Sequence, residues 1–437
     1  LGDVYKRQKI LLPLVSFTIP LVLGNLFQLT YNAADSVIVG KYVGEQALAA
    51  VGTSTPIMNI AILLISGMCM GASVLMSSQY GAKDYDTLSR QISTTMLAGC
   101  GFSVVFSLLM LLLANPVLRL IRVPETAIPE AAAYLRIIFM GLIFTFMYNF
   151  LANTMRALGD SKTPLYFLVT SAFLNIFGDL FFVVVLRCGV AGSAIATVCS
   201  EGLCCLLCGI YIKKKIPLLC LGKKWWVFDK SLLGKTVSYG STSAMQQVCL
   251  QLGKLIIQSV VNTQGVAVMA AFTAVNRVDD FAYTPQQNIG HAMTTFLAQN
   301  KGAGHKERMK KGFQTGLLIE LVYSIGLFCV IWGLAPQIMT LFAEDGDAQV
   351  VSLGISYLHL ISWMYILPGL TDGVQGFFRG IGDLKVTLYS TFMNMFGRVV
   401  AVFVMIRLLQ MEFASLAWAN MVGWIVMLLF EVPLLVK

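Results

Sequence analysis

Arg156-Ala157-Leu158-Gly159-Asp160-Ser161-Lys162 returns later in the chain as Arg379-Gly380-Ile381-Gly382-Asp383-Leu384-Lys385, an offset of 223 residues. The register holds around it. Gly44 with Ala49-Ala50 matches Gly265 with Ala270-Ala271, and Gln79 with Gly81-Ala82 matches Gln299 with Gly302-Ala303, both near an offset of 221. Each copy is far longer than a solenoid unit and strongly apolar. The duplication therefore reads as two homologous membrane bundles, the build of many secondary transporters.

Composition points the same way. Hydrophobic residues make up 57% of the chain and charged residues 12%, with a mean hydropathy of +0.76, whereas soluble domains carry about 25% charged residues. Apolar stretches long enough to cross a bilayer recur from end to end. About twelve are expected, at 9–31, 47–78, 92–114, 131–155, 163–186, 189–212, 236–262, 265–298, 313–335, 350–378, 384–408 and 411–436. The fold class is thus all-α integral membrane, about twelve transmembrane helices in two pseudo-symmetric six-helix lobes. The lobes are 9–212 and 236–437, joined by a lysine-rich linker at 213–235.

A net charge of +9 can signal nucleic-acid binding, but its distribution here follows the positive-inside rule. With both termini cytoplasmic, the basic runs at 213–235 and 301–311 fall inside. The outer loops then keep only Lys41, Arg119, Arg122, Arg136, Arg187 and Arg407. This sets the orientation of a multi-pass protein of the cell inner (cytoplasmic) membrane and makes lipid headgroups, not nucleic acid, the partner of the basic surface. Leu1 stands where an initiator Met is expected, and Asp3-Val4-Tyr5-Lys6-Arg7-Gln8 reads like the translation of a transposon adapter. Residues 1–8 are therefore set aside as a non-native leader.

Enzymatic chemistry finds no foothold. There is neither a phosphate-binding G-x-x-x-x-G-K-[ST] loop nor a G-x-S-x-G elbow. The three histidines have no zinc spacing. Cys199, Cys204, Cys205 and Cys208 cluster, and Cys204 and Cys208 share a helix face, but free cysteine is an ordinary small apolar residue in such positions. No cofactor and no metal site are expected, other than a coupling ion.

What remains is a short set of ionisable residues inside the spans, each costing at least ~2.5 kcal/mol near the midplane and so needing a partner or a function. Those singled out are Asp35, Asp179, Glu201, Lys254, Arg277, Asp279, Asp280, Glu320, Asp372 and Arg398. Asp35 ends the first span one turn after Asn32, and Asn175 and Asp179 project together from the fifth. Two carboxylates with amide neighbours in one bundle can hold a proton or a small cation. Arg277, Asp279 and Asp280 are close enough in sequence to neutralise one another, with Lys254 able to join them; Glu201 and Glu320 are given no role. Arg398 falls at the repeat-equivalent of Asn175, so the two halves are not functionally equivalent.

Taken together, Asn32-x-x-Asp35, Gly44-x-x-Ala47-Leu48-Ala49-Ala50, Gln79-Tyr80-Gly81-Ala82 and the two Arg-x-x-Gly-Asp loops resemble the multidrug and toxic compound extrusion (MATE) family of secondary efflux transporters, over residues 9–436. The resemblance implies two six-helix lobes related by a pseudo-two-fold axis along the membrane normal, opening alternately to each side. It also implies an ion-coupling site in the first lobe at Asp35, Asn175, Asp179 and Thr197, and a hinge in the first helix at Pro20. Some sodium-coupled relatives use a Glu on the seventh span with an Asp on the tenth. Asp372 resembles the latter, but the seventh span here offers Gln246, Gln247 and Gln251 and no acid. Asp372, Arg398 and Lys254 are the remaining second-lobe or substrate candidates.

The function expected is efflux of amphipathic, often cationic small molecules by antiport against a proton or sodium ion, performed by a monomer. A flippase for a lipid-linked saccharide, sharing the superfamily fold, is the alternative that Lys254, Arg277 and Arg398 support.

Overall fold

The structure is a computed structural model that describes residues 10–120, 123, 125, 127–215, 226–342, 348–408, 413 and 415–436. The leader at 1–8, residues 216–225 of the expected linker and the side chain of Asn32 lie outside the described residues. Where it is described, the chain is helical almost throughout. This is what a bilayer demands, since a lipid-facing backbone must satisfy its own hydrogen bonds.

The first half runs α1 (Leu11–Tyr42), α2 (Glu45–Gly81), α3 (Tyr85–Leu120), α4 (Ile128–Met140), α5 (Leu142–Ala157), α6 (Lys162–Asp179) and α7 (Gly189–Lys215). The second runs α8 (Lys230–Val261), α9 (Val266–Gly302), α10 (Lys306–Phe342), α11 (Ala348–Ser362), α12 (Ile366–Gly380), α13 (Leu384–Phe403) and α14 (Ser415–Val436). α4 and α5 are one rod bent by 47°, and α11 and α12 are joined by a 3-10 turn, Trp363–Tyr365. With those pairs counted once, twelve rods are present among the described residues, as the sequence reading expects.

Backbone detail repeats with the sequence. The bend after Met140 and the 3-10 turn at Trp363–Tyr365 fall at the same place in the two copies. A π-helical turn follows α6 at Leu180–Val185 and α13 at Val404–Leu408. Gly44 and Gly265 begin α2 and α9 at φ 114 and 105, and Gly159 and Gly382 end the signature loops at φ 92 and 83. A side chain is strained at such angles, so glycine is kept at both copies of each turn.

A strict hydropathy and length test recovers fewer spans than the twelve expected. Among the described residues nine helical stretches are long and apolar enough to cross a membrane, or ten with the bent α4–α5 pair. α8 and α9 are the rods that fall short. Their polar residues point into the protein, with Thr236, Ser243 and Gln246 buried on α8 and Asp279, Gln286, Asn288, Thr294, Gln299 and Asn300 buried on α9. α3 and α10 show the reverse pattern. Val105, Leu108, Leu109 and Leu112, and likewise Leu318, Val322 and Ile325, are exposed at helical spacing, an outward apolar stripe suited to lipid.

By contacts the described chain divides into two compact units, Ile19–Ala244 and Met245–Lys437, the second also taking in the chain up to Thr18. The division falls inside α8, beyond the linker expected at 213–235. In the first unit Gly67 and Gly71 of α2 meet Ala244 and Gly240 of α8 backbone to backbone. A Cβ on Gly71 would sit 2.5 Å from the Gly240 nitrogen. In the second unit α9 and α12 approach at Gly290 and Gly376, where a Cβ on Gly376 would lie 2.7 Å from the Gly290 carbonyl oxygen. Small residues let membrane helices approach this closely.

Candidate functional site

In the first unit α1, α4, α6 and α7 bring polar groups to one place. Asn175 and Asp179, four residues apart, share a face of α6, and both are buried. Gly189, at φ 61, turns the chain into α7, on which Ser193, Thr197 and Glu201 recur every fourth residue along one face. The Asn175 Nδ2 donates to Thr197 Oγ1 at 3.1 Å, and the Ser193 hydroxyl donates to Asp35 Oδ1 at 2.6 Å. Asp179 is fully buried. Neither of its carboxylate oxygens, nor the Asn175 Oδ1, has a hydrogen-bond partner among the described residues. The Asp35 carboxyl stands within interacting distance of Asp179, but it too is an acceptor when ionised. Tyr134 of α4 lies within electrostatic range of both acids.

The four residues expected to couple the ion, Asp35, Asn175, Asp179 and Thr197, therefore come together in one unit. Ser193 and Tyr134 complete the surroundings and went unread in the sequence. Glu201 also has a definite partner, the Thr145 hydroxyl at 2.5 Å. The donor set here is hard oxygen with an excess of unsatisfied acceptors. It suits a proton or a small hard cation, because a buried carboxylate without a donor is costly. Two carboxylates meet, and among the described residues no group of three or more His, Cys, Asp and Glu gathers to hold a metal ion. Pro20 is buried within an unbroken α1. Its ring removes the hydrogen bond to the carbonyl four residues back, a soft point fifteen residues before Asp35.

The second-lobe candidates do not form one cluster. Lys254 pairs with Asp280 at 3.6 Å, both side chains about half exposed. Asp372 lies within electrostatic range of Arg379, Glu320 and Glu431. Arg379 is buried and donates to Gln375 Oε1 at 2.6 Å, with its other terminal nitrogen 3.2 Å from His291 Nδ1. Gln246 of α8 donates to the same Gln375 oxygen at 3.0 Å. Arg398 instead lies in the neighbourhood of Asp279, Tyr283 and Tyr357. Asp279 turns inward while Arg277 and Asp280 are exposed, so the three do not share one face. Glu431 is fully buried on α14. A lone acid in the last apolar run was the signal for it.

Comparisons with known proteins agree with this architecture. The family model described as MatE matches residues 20–181 and 243–406. The chain is 31% identical over 387 residues to the probable multidrug resistance protein YpnP of Bacillus subtilis (strain 168), covering 88% of this chain and 85% of that protein. It is 23% identical over 423 residues to the probable multidrug resistance protein NorM of Thermotoga maritima, covering 94% and 89%. Among solved structures, an outward-facing multidrug resistance MATE transporter of the MOP superfamily superimposes with a TM-score of 0.91 at 22% identity, over 99% of this chain and 95% of that one.

Proposed function

Because this chain belongs to the multidrug and toxic compound extrusion family, a family of transporters and not of enzymes, we propose that it exports amphipathic, often cationic solutes by antiport, with the coupling ion carried at Asp35 and Asp179. The observation that carries this reading is the fully buried Asp179 carboxylate, both oxygens lacking a hydrogen-bond donor, beside a second carboxyl. Two adjacent carboxyls in an apolar bundle need a proton or a cation between them. A proton suffices without a full coordination shell, and we take it as the coupling ion. Sodium is the other candidate, for which Asn175 Oδ1 and Thr197 Oγ1 supply further hard oxygens.

The cycle follows from differential affinity. Loading the acids from outside favours one arrangement of the protein, the solute favours another, and the difference couples the two fluxes. A membrane potential contributes about 2.3 kcal/mol per charge per 100 mV. The lysine distribution supports cytoplasmic termini. Lipid and solute are the only partners the reading requires, and a monomer suffices for it.

The test is efflux of an amphipathic cation such as ethidium from proteoliposomes holding the purified full-length protein. Gradients of pH and of sodium are imposed separately. Efflux driven by the pH gradient alone is expected. Efflux that neither gradient drives would overturn the antiport reading, and efflux driven by sodium alone would overturn the proton.

A further inference from the structure

The polar face of α7 continues past the residues expected to couple the ion. Ser193, Thr197 and Glu201 follow one another every fourth residue, ~6 Å apart along the helix axis, and each is joined to a different helix. Ser193 donates to Asp35 of α1 at 2.6 Å, Thr197 accepts from Asn175 of α6 at 3.1 Å, and Glu201 accepts from the Thr145 hydroxyl of α5 at 2.5 Å. One end of the row is thus hydrogen-bonded to a coupling acid, and the other end is a third acid. Beyond Glu201 the helix runs on to Lys213, Lys214 and Lys215 in its last turn, the end that the lysine distribution assigns to the cytoplasm.

The bent α4–α5 rod is fitted to the same row. Gly141, at the bend, leaves room for Val198 of α7, whose Cγ2 would lie 2.4 Å from a Cβ there. On the α4 side Tyr134 is buried in one apolar cluster with Val190 and Ala194 of α7; on the α5 side Thr145 reaches Glu201. Tyr134 is a common neighbour of Asp35, Asp179 and Glu201, and a phenol can both donate and accept. Glu201 itself is partly buried. The titratable groups found to act with it are Tyr31 of α1, Tyr134 of α4, and Cys204 and Cys205 of its own helix, none of them a cation. A membrane carboxyl without a cationic partner needs a proton or a function.

We infer that Glu201 is the exit relay for the coupling proton, standing between the coupling acids and the cytoplasm. As the acids unload, the O–H bond of an Asp35 or Asp179 carboxyl breaks, and the Glu201 carboxylate accepts that proton by way of the intervening hydroxyls and water. Glu201 then releases it to cytoplasmic water, so one proton moves and both carboxylates are restored. This rests on the proposed proton coupling at Asp35 and Asp179.

The test separates proton movement from solute movement in proteoliposomes holding the full-length protein. Ethidium efflux driven by a pH gradient requires the proton to leave; exchange of ethidium for labelled ethidium at equal pH on both sides does not. Glu201→Gln should slow driven efflux at least about tenfold and leave exchange at the wild-type rate, and Glu201→Asp should regain most of the loss. Equal losses in the two assays would make Glu201 a solute contact or a structural residue, and driven efflux at the wild-type rate would leave it no part in the cycle; either result overturns the inference. Should Glu201→Gln not fold, Thr145→Val, which keeps the acid and removes its donor, takes its place. It must then slow driven efflux and spare exchange, or the inference fails. Asp35→Asn in the otherwise wild-type protein reads the underlying coupling separately. Its failure to abolish gradient-driven efflux would sink the proposed function whatever Glu201→Gln does.

Discussion

The two units share a backbone plan and differ in where they put charge. Both break a rod at the same place, both carry a π-helical turn after the corresponding helix, and both keep glycine at the left-handed turns of φ 114 and 105 and of φ 92 and 83. Their buried acids, however, occupy unrelated positions. In the first unit two carboxyls converge with hydroxyl and amide neighbours; in the second the Tyr365 hydroxyl donates to the buried Asp279, while Glu320 and Glu431 are buried on other helices with no hydrogen-bond partner among the described residues. Backbone geometry is fixed by turn chemistry and packing, so a duplication preserves it. A buried ionisable group is retained only where it has a partner or a function, so the halves can diverge there while the scaffold stays the same.

Close helix contacts form a second respect in which the units differ, and they give the largest effect expected. The Gly71–Gly240 approach in the first unit and the Gly376–Gly290 approach in the second are not related by the repeat, yet each places backbone where a Cβ would stand. Gly71→Leu and Gly376→Leu should each destabilise the protein by about 3 kcal/mol or more, because the obstructing atoms are main chain and cannot rotate away. Loss of the monodisperse peak in detergent gel filtration would show it. A variant that stays monodisperse with an unchanged melting temperature would mean the helices separate there at no cost.

A smaller effect sharpens the same comparison. Lys83 and Gly304 are repeat-equivalent at the offset of 221, and both adopt positive φ, at 60 and 75. The first unit therefore holds a side chain where the second has none. Lys83→Gly should raise stability by up to about 1 kcal/mol and Gly304→Lys should lower it by a similar amount, measured as opposite shifts in melting temperature. Shifts of the same sign would show that the two turns are held by different forces.

The fold was legible because its strongest signals are local. The Arg-x-x-Gly-Asp loops mark turns, and the turns recur at a fixed offset that hydropathy is not needed to see. α8 and α9 were read as apolar stretches all the same, although their inward polar residues lower their hydropathy. Asn175 and Asp179 were legible because four residues on a helix define one face. Ser193 was not, since a serine in a membrane helix most often bonds its own backbone. Arg277, Asp279 and Asp280 misled for the converse reason: adjacent residues on a helix point about 100° apart, so Asp279 turns inward and Asp280 outward to Lys254. Glu431 offered a local signal, an acid in an apolar run, but its burial beside Arg379 and Asp372 depends on contacts between distant helices that no local pattern encodes.

The central claim is that the first unit alone takes the coupling ion, and it is tested most directly by substituting Asp179. Purified Asp179→Asn, reconstituted at the wild-type protein-to-lipid ratio, should lose all pH-gradient-driven ethidium efflux while eluting and melting as a folded protein, because an amide cannot alternate between loaded and unloaded charge states. Asp372→Asn, measured beside it, should retain gradient-driven efflux. Efflux at the wild-type rate in Asp179→Asn, with efflux abolished in Asp372→Asn, would place the coupling ion in the second unit and contradict the account.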